Sequence, residues 1–302
     1  MTVTGSGWTK RHWLALGAAA LVGAAIRGFY WADPGFSDDL GEFARLTAAM
    51  VDHGLGRAYD AKLSFGPVVT YFWWLASLVQ PAFAGAVDSS DLGVRLLLKL
   101  PPILADFGIA ALVAYALRAR PTWAIVGAAI ILLHPAVWFV SSWWGQYESV
   151  FTFFALLAFV LVLRDRPLLA AIAITAAILT KPQALALALP FAAWYLATYD
   201  RRTVIRAGMT AVVVAIALWL PFLQWDGPSK YLGWLAYYHD ERFDVISMRA
   251  WNVWWIVQRN ILHVSWVPDE DSLVGPLTYR MAGYLITVAL AALVAYRVWR
   301  RP

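Results

Sequence analysis

Repeated apolar stretches of about 20 residues are the feature that most constrains this chain. An α-helix needs roughly that length to cross the hydrocarbon core of a bilayer. Of the 302 residues, 61% are hydrophobic and 14% are charged, whereas soluble domains are roughly 25% charged. The 18 Trp and 13 Tyr residues suit a chain that meets the membrane interface repeatedly. The sequence therefore predicts an integral membrane protein.

Short basic loops decide how the apolar stretches thread the membrane. Such loops stay in the cytoplasm, so an even number of crossings must separate Arg11 from Arg118. The apolar piece 67–84 is therefore predicted to lie on or dip into the external face. Chain at that depth needs protein or a water-filled cavity around it, which makes this piece a candidate wall of a site. Eight stretches are predicted to cross: 13–32, 95–117, 122–140, 149–163, 168–180, 184–199, 207–224 and 276–296.

These spans predict an all-α polytopic membrane protein with about eight transmembrane helices and short juxtamembrane helices in its external loops. We expect one transmembrane domain over 1–302. The expected location is the plasma membrane of a bacterium, with both termini in the cytoplasm and the active site on the extracytoplasmic face. The external loops are 33–94, 141–148 and 225–275. The first span is read as an anchor and not a cleaved signal peptide, because it is long, carries Arg27 and is followed by further spans.

Several function classes are excluded or disfavoured by composition and motifs. The formal charge of +5 does not indicate nucleic-acid binding, since the basic residues are scattered in short loops and form no stripe. With no cysteine, disulfides and thiolate metal sites are excluded. No Walker loop, dinucleotide-binding glycine pattern or HExxH motif is present, so a nucleotide sugar is disfavoured as the direct donor.

The first external loop places three carboxylates within five residues, at Asp38, Asp39 and Glu42. Ser37 or Asp38 could cap a helix running from about Asp39 to Val51. One cap needs only one side chain, and adjacent carboxylates at a low-dielectric boundary repel each other. We therefore predict that Asp38 or Asp39 acts as a general base on a sugar hydroxyl, with a divalent-ion site as the less favoured alternative. Glu42 is a candidate sugar or acceptor contact.

The second external loop combines aromatic and polar side chains. Trp143 is read as an interfacial anchor. An amide and a carboxylate beside an aromatic face suit a sugar, which makes Trp144, Gln146 and Glu148 candidate sugar or acceptor contacts.

Cations at the external face are candidates for binding a phosphate. Lys181 follows a helix too apolar to favour it, and snorkelling to the interface is the alternative to a functional role. Arg95 and Lys99 lie four residues apart on one helical face and form a second candidate clamp, with contact to lipid headgroups as the alternative. For Asp106, in the middle of the span 95–117, a buried pair with Lys99 or with a polar neighbour is favoured over catalysis. Gln183, beyond Lys181, is a further candidate sugar or acceptor contact.

The last external loop offers Arg242 and Arg249 for a phosphate, because the guanidinium fork matches phosphate oxygens. His239 and Asn252 are candidate sugar or acceptor contacts. The acidic residues beside His239 are too close in sequence for a recognisable zinc spacing, and no metal is predicted.

Taken in order, several segments resemble the GT-C superfamily of polytopic glycosyltransferases. The resemblance is to dolichyl-phosphate-glucose glucosyltransferases and to bacterial polyprenyl-phosphate-mannose enzymes. Arg27 near the end of the first helix and the segment Phe36 to Asp38 resemble the family's first-loop segment, in which the aspartate of a Gly-Asp motif serves as the base. The further matching segments are Gly66 to Tyr71, Leu104 to Asp106, Trp144 to Ser149, Thr180 to Gln183, Arg242 with Phe243, and Asn252 to Trp254.

The resemblance implies a GT-C-like bundle and an inverting, metal-independent transfer of a hexose, mannose or glucose. The implied donor is a polyprenyl-phosphate hexose at the outer face, the acceptor is lipid-linked or a glycan, and no cofactor is implied. It favours Asp38 over Asp39 as the base. Two departures are Ser37 in place of the usual glycine and Asp39 in place of an aromatic residue. The alternatives are a membrane transporter or lipid flippase, and a non-catalytic subunit of a glycosylation complex.

Overall fold

The computed structural model describes residues 7–242, 244–247 and 253–300, and nearly all of their regular structure is helical. One short antiparallel pair of strands, β1 (Ser272–Val274) and β2 (Leu277–Thr278), is the described sheet structure. The α-helices are α1 (Lys10–Trp31), α2 (Ser37–His53), α3 (Pro67–Val79), α4 (Leu92–Ala116), α5 (Pro121–Leu133), α6 (Pro135–Trp138), α7 (Glu148–Val162), α8 (Pro167–Ile178), α9 (Ala188–Thr198), α10 (Arg201–Trp219), α11 (Gly227–Tyr237), α12 (Val253–Ile256) and α13 (Tyr279–Arg300).

Four helical segments in the described chain are long and apolar enough to cross a membrane: α1, α4, α10 with its 3₁₀ extension to Trp225, and α13. A fifth is the bent pair of α5 and Pro135–Trp144, which turns by 46° at its break. The predicted class, an all-α polytopic membrane protein, is confirmed. The count of eight crossings stays a prediction, because α7 and α8 have 15 and 12 residues and span only about 22 and 18 Å.

The chain forms two compact units. The first comprises Met1–Ala184 with Arg202–Pro228, and the second comprises Leu185–Arg201 with Ser229–Pro302. In the first unit, α4 is the central helix and contacts α1, α2, α3, α5 and α7, while α7 also packs along α8. In the second unit, α9 packs along α13. The single domain predicted over 1–302 stays a prediction.

Small side chains bring α4 and α5 close together. Ala110 and Ala114 of α4 form one buried cluster with Ala124, Ala128 and Leu132 of α5. Between membrane helices the lipid offers no hydrophobic drive, so association rests on close van der Waals packing of small residues. The alanines therefore fix the distance between the two helices.

A buried charge network joins α4 to its neighbours. Asp106 is 0% exposed, and its Oδ2 accepts hydrogen bonds from Arg27 Nε at 2.9 Å and from Ser141 Oγ at 2.6 Å. Ser149 Oγ donates to the other oxygen, Oδ1. Arg27 Nη1 also donates to the Leu132 carbonyl oxygen at 2.7 Å. The predicted buried pair at Asp106 is confirmed, and its cationic partner is Arg27, not Lys99.

Lys99 has a different role from the one predicted for it. Its side chain is 0% exposed, and Nζ donates to the carbonyl oxygens of Tyr30 at 3.2 Å and Asp33 at 2.7 Å. The prediction that Lys99 forms a phosphate clamp is therefore wrong. A cation close to the last carbonyls of a helix interacts favourably with their partial charge, so Lys99 stabilises the end of α1.

Basic loops gather at one end of the first unit, which we call the basic end: the start of α1 and the loops 117–120 and 163–166. Trp8 Nε1 donates to the Arg118 carbonyl oxygen at 2.9 Å. The guanidinium groups of Arg118 and Arg164 lie 4.5 and 4.6 Å from the centroid of the Tyr115 ring. The predicted threading requires these loops to share one end. The side of the membrane that this end faces stays a prediction.

The Arg27–Asp106 pair gives a stability prediction. Replacing Arg27 with methionine leaves a buried carboxylate without its cation, which costs about 3–5 kcal/mol. The double variant Arg27→Met/Asp106→Leu removes both charges and recovers part of that loss. Unfolding by rising SDS in mixed micelles measures the difference. Arg45→Gln, which breaks an exposed pair with Glu42, is the control and changes stability by less than about 1 kcal/mol. A double variant less stable than Arg27→Met contradicts the prediction.

Candidate functional site

Five predicted site residues from four segments meet in one place, which we call the polar cluster: Asp39, Trp144, Gln146, Glu148 and Lys181. They come from α2, from the turn that ends the π-helical segment Phe139–Trp144, from the start of α7 and from the loop after α8. All five belong to the first compact unit.

Asp39 is fixed by two donors of the second external loop. Its Oδ2 accepts hydrogen bonds from Trp144 Nε1 at 2.7 Å and from Gln146 Nε2 at 2.6 Å. Asp38, the preceding residue, is exposed and has no hydrogen-bond or ion-pair partner within the described ranges. Of the two adjacent carboxylates, Asp39 is therefore the one that the fold holds in a defined position.

The capping alternative for this segment is wrong. The helix α2 begins at Ser37, its N-cap is Phe36, and no side chain accepts a capping hydrogen bond there. Asp38 and Asp39 both lie in the first turn, where negative charge is favoured by the exposed amide groups. That favourable position does not account for the two specific donors on Asp39.

Lys181 links the other members of the cluster. It is 9% exposed, its Nζ lies 2.6 Å from Glu148 Oε1 and it donates to Gln146 Oε1 at 3.4 Å. The Phe65 ring lies 5.2 Å from the same nitrogen, within the range of a cation–π contact. The Gln146 amide thus bridges Asp39 and Lys181. With two carboxylates and one ammonium group, the cluster carries more negative than positive charge.

Glu148 has one oxygen that the described chain leaves without a donor. Its Oε1 contacts Lys181. The side chain as a whole is 47% exposed, but Oε2 itself is shielded from solvent and accepts no hydrogen bond from any described residue. A shielded acceptor without a donor is destabilising. A hydroxyl group donated by a bound molecule would satisfy it.

An aromatic anchor holds the second external loop in place. Tyr147 is 0% exposed; its hydroxyl donates to the Leu98 carbonyl oxygen at 2.8 Å and accepts from Trp73 Nε1 at 2.7 Å. Burial raises the pKa of this hydroxyl above its ordinary value, so it stays protonated and keeps donating. Gly145, at φ +83°, allows the turn that a side chain would strain. Gln146 and Glu148 therefore flank a fixed residue.

Close backbone contact positions Lys181. The Gly66 amide donates to the Thr180 carbonyl oxygen at 3.2 Å, and the Val68 amide donates to that of Leu179 at 3.2 Å. A Cβ atom on Gly66 would collide with the Leu179 backbone. The start of α3 thus forms a wall beside Lys181. With 13 residues, α3 spans about 20 Å, too short to cross the bilayer.

Three other predicted residues of the first unit lie outside these contacts. Glu42 pairs with Arg45 on an exposed face of α2. Arg95 Nη1 donates to the carbonyl oxygens of Ser89 at 2.7 Å and Ser90 at 2.6 Å, so it holds its own loop. Gln183 is exposed, two residues beyond Lys181.

The remaining predicted residues belong to the late loop. In the second unit, His239 Nε2 lies 2.8 Å from the Tyr284 hydroxyl, and Arg242 is exposed at the end of the π-helical turn Tyr238–Arg242. Arg249 and Asn252 lie outside the described residues. The phosphate-binding and sugar-binding roles of all four stay predictions.

Sequence reasoning missed the residues that support the cluster. Trp73, which donates to Tyr147, belongs to the apolar piece 67–84, and the sequence assigned it no role of its own. Phe65, whose ring contacts Lys181, precedes that piece and was not singled out. A signal was present, since a tryptophan and several aromatic residues follow Gly66 and Pro67 in a stretch too short to span the membrane. Ser141 and Ser149 bracket the predicted loop, but their contact with Asp106 depends on tertiary packing.

Comparison with known proteins gives one result. The family described as "GT87: Glycosyltransferase family 87" matches residues 102–302, about two thirds of the chain. The match includes Trp144, Gln146, Glu148 and Lys181, and begins after the aspartates of α2. A search of curated proteins finds no match.

The aromatic anchor gives a second stability prediction. Tyr147→Phe removes the hydroxyl that joins Trp73 to Leu98, and leaves a buried indole N–H without an acceptor. We expect a loss of about 1–3 kcal/mol, measured by SDS unfolding in mixed micelles. Tyr296→Phe is the matched control, because its ring is 55% exposed and its hydroxyl makes no hydrogen bond in the described chain. Equal stability of Tyr147→Phe and the wild type would show that the anchor is unimportant.

Proposed function

The chain belongs to glycosyltransferase family 87, and on that premise we propose that it transfers a hexose from a polyprenyl-phosphate sugar to a lipid-linked or glycan acceptor. Family and fold make it a glycosyltransferase of the membrane. The proposal adds mannose or glucose as the hexose, inversion at the anomeric carbon, independence of metal, and a site on the extracytoplasmic face.

The polar cluster is the observation that carries the proposal. A sugar presents hydroxyl groups that both donate and accept, and an apolar face that packs on aromatic rings. The cluster offers the unsatisfied Oε2 of Glu148 and the ring of Trp144, while the Gln146 amide and the Trp144 N–H hold Asp39 in position. Convergent polar groups beside aromatic surface are typical of small-molecule sites. We therefore place the hexose here.

We assign the general base to Asp39. A base must be held within hydrogen-bond reach of the acceptor hydroxyl, and two donors orient this carboxylate through Oδ2 while Oδ1 remains to accept a proton. Gln146 couples it to Lys181, which we propose as one of the cations for the leaving phosphate. The resemblance in sequence favours Asp38. The hydrogen bonds favour Asp39 as the base, and Asp38 precedes it in the first turn of α2.

The leaving group requires positive charge that the cluster alone does not supply. Lys181 is already paired with Glu148, so a phosphate there needs further cations. We propose that Arg242 and Arg249 of the late loop supply them, with Arg95 as a third candidate. Cations already placed where negative charge develops stabilise the transition state, because the surrounding groups do not have to reorganise during the reaction.

The proposed step is a single displacement. The acceptor oxygen attacks the anomeric carbon as Asp39 takes its proton, and the new glycosidic bond forms on the face opposite the phosphate. The bond between the anomeric carbon and the phosphate oxygen breaks, and polyprenyl phosphate leaves with the electron pair. One positioned base contributes typically 10²–10⁴-fold to such a rate.

The base assignment gives a prediction with a matched control. Asp39→Asn keeps the shape and an acceptor for Trp144, but cannot take a proton. We expect its kcat to fall by about 10²–10⁴-fold, while the affinity for polyprenyl-phosphate hexose is unchanged. Asp38→Asn changes the adjacent exposed carboxylate and should retain the wild-type rate. Both are measured on purified protein in proteoliposomes. A large loss confined to Asp38→Asn would move the base to Asp38.

The activity itself is tested with a donor panel. We incubate the purified chain with radiolabelled polyprenyl-phosphate mannose or glucose and a membrane extract as acceptor source, and identify products by mass spectrometry. The proposal predicts consumption of one donor and a labelled acceptor. Movement of intact donor between leaflets without product would indicate a flippase. Product formation only when another protein is added would indicate a non-catalytic subunit.

A further inference from the structure

A cavity lies at the basic end, away from the polar cluster. It is a cavity of about 400 Å³ formed by the start of α8 and the first turns of α10, both in the first compact unit. Its lining includes the guanidinium-bearing Arg166 and Arg206, the hydroxyl-bearing Thr203, and apolar surface from Leu168 and Leu169. The volume lies within the range of roughly 300–1,000 Å³ typical of ligand pockets.

The two arginines of this cavity differ from the two stacked arginines of the same end. Arg118 and Arg164 are stacked on Tyr115, at 4.5 and 4.6 Å from the ring centroid. Across the residues that the structure describes, Arg166 and Arg206 are in no salt bridge and no cation–π contact. Their charge is therefore available to a ligand.

A rigid turn sets the position of Arg166. The chain leaves α7 with the Asp165 amide bonded to the Val162 carbonyl oxygen at 2.9 Å and the Arg166 amide bonded to that of Leu161 at 2.9 Å. Asp165 has a φ of +54°, a conformation that this paired turn requires. Among the described residues that line the cavity, Asp165 is the one carboxylate, and two guanidinium groups outnumber it. The cavity is therefore positively charged.

We propose that this cavity binds the phosphate group of an anionic headgroup or of a small phosphate ester. The guanidinium fork matches phosphate oxygens in geometry as well as in charge. The apolar wall from Leu168 and Leu169 suits the carbon skeleton attached to the phosphate. Since α7 begins at Glu148 and ends just before Asp165, about 22 Å of helix separates this site from the polar cluster. The ligand is thus distinct from the sugar donor.

The test measures binding of phosphatidylglycerol to the purified full chain by native mass spectrometry. The double variant Arg166→Gln/Arg206→Gln should weaken binding by roughly 10–30-fold, the effect of removing two cations near a headgroup. Leu168→Trp, which fills the cavity and keeps both charges, should weaken it as well. Arg120→Gln, an exposed arginine of the same end outside the cavity, is the control and should bind as the wild type does.

A competition arm separates the two sources of phosphate. Displacement of phosphatidylglycerol by millimolar glycerol 3-phosphate would show that the cavity accepts a free phosphate ester, and persistence of the lipid would show that it takes a membrane headgroup. Either result supports the site. Wild-type affinity in both the double variant and Leu168→Trp, or an equal loss in Arg120→Gln, would overturn it. Transferase activity is not part of the readout, so the two proposals fail independently.

Discussion

The Asp106 carboxylate of the membrane-spanning helix α4 is buried, and the rest of the first unit depends on the groups that pair with it. A charge at that depth is tolerated only if other groups pair with it. Arg27 supplies the opposite charge, and Ser141 and Ser149 supply hydroxyl donors. Because these two serines bracket the loop that carries Trp144 to Glu148, satisfying one buried carboxylate also fixes the loop that forms most of the polar cluster.

The same helices carry opposite chemistry at their two ends. The start of α7 presents Glu148 to Lys181, and its end leads into the basic turn at Arg164 and Arg166. The first half of α4 carries Lys99 and accepts a hydrogen bond from Tyr147 at Leu98, whereas its end carries Tyr115, whose ring is contacted by the guanidinium groups of Arg118 and Arg164. This polarity suits the proposed transfer from a lipid-linked donor in an asymmetric membrane. Sugar chemistry is proposed at one end, and attraction to anionic phosphate at the other.

Much of this arrangement could be predicted from sequence, because the membrane imposes strong rules. Hydropathy indicated the helices, and the basic loops indicated which ends lie together. Trp144, Gln146, Glu148 and Lys181 stood out as polar residues beside apolar spans, and the structure brings them together. Ionisable residues at such positions rarely have no partner.

What could not be predicted depends on tertiary contacts or on a single-residue register. Helix geometry alone separates Lys99 from Asp106, because seven residues place them about 10 Å apart along α4, but it does not identify the residue that pairs with Asp106. The true partner, Arg27, is 79 residues away in sequence. Asp38 and Asp39 are adjacent, so only the exact start of α2 decides which one meets Trp144 and Gln146, and helix boundaries are the least predictable feature of a sequence.

We propose that the polar cluster opens to the extracytoplasmic side and holds the sugar donor, and that the basic end faces the cytoplasm. The chain contains no cysteine, so any maleimide label on a single-cysteine variant of this protein is attached at the introduced position. Intact cells expressing Gln183→Cys or Arg120→Cys are treated with a membrane-impermeant maleimide, with and without polyprenyl-phosphate hexose. The account predicts that Cys at 183 is labelled from outside and protected by the donor, and that Cys at 120 is labelled only after the membrane is opened. Labelling of position 120 from outside, with position 183 silent, would contradict it.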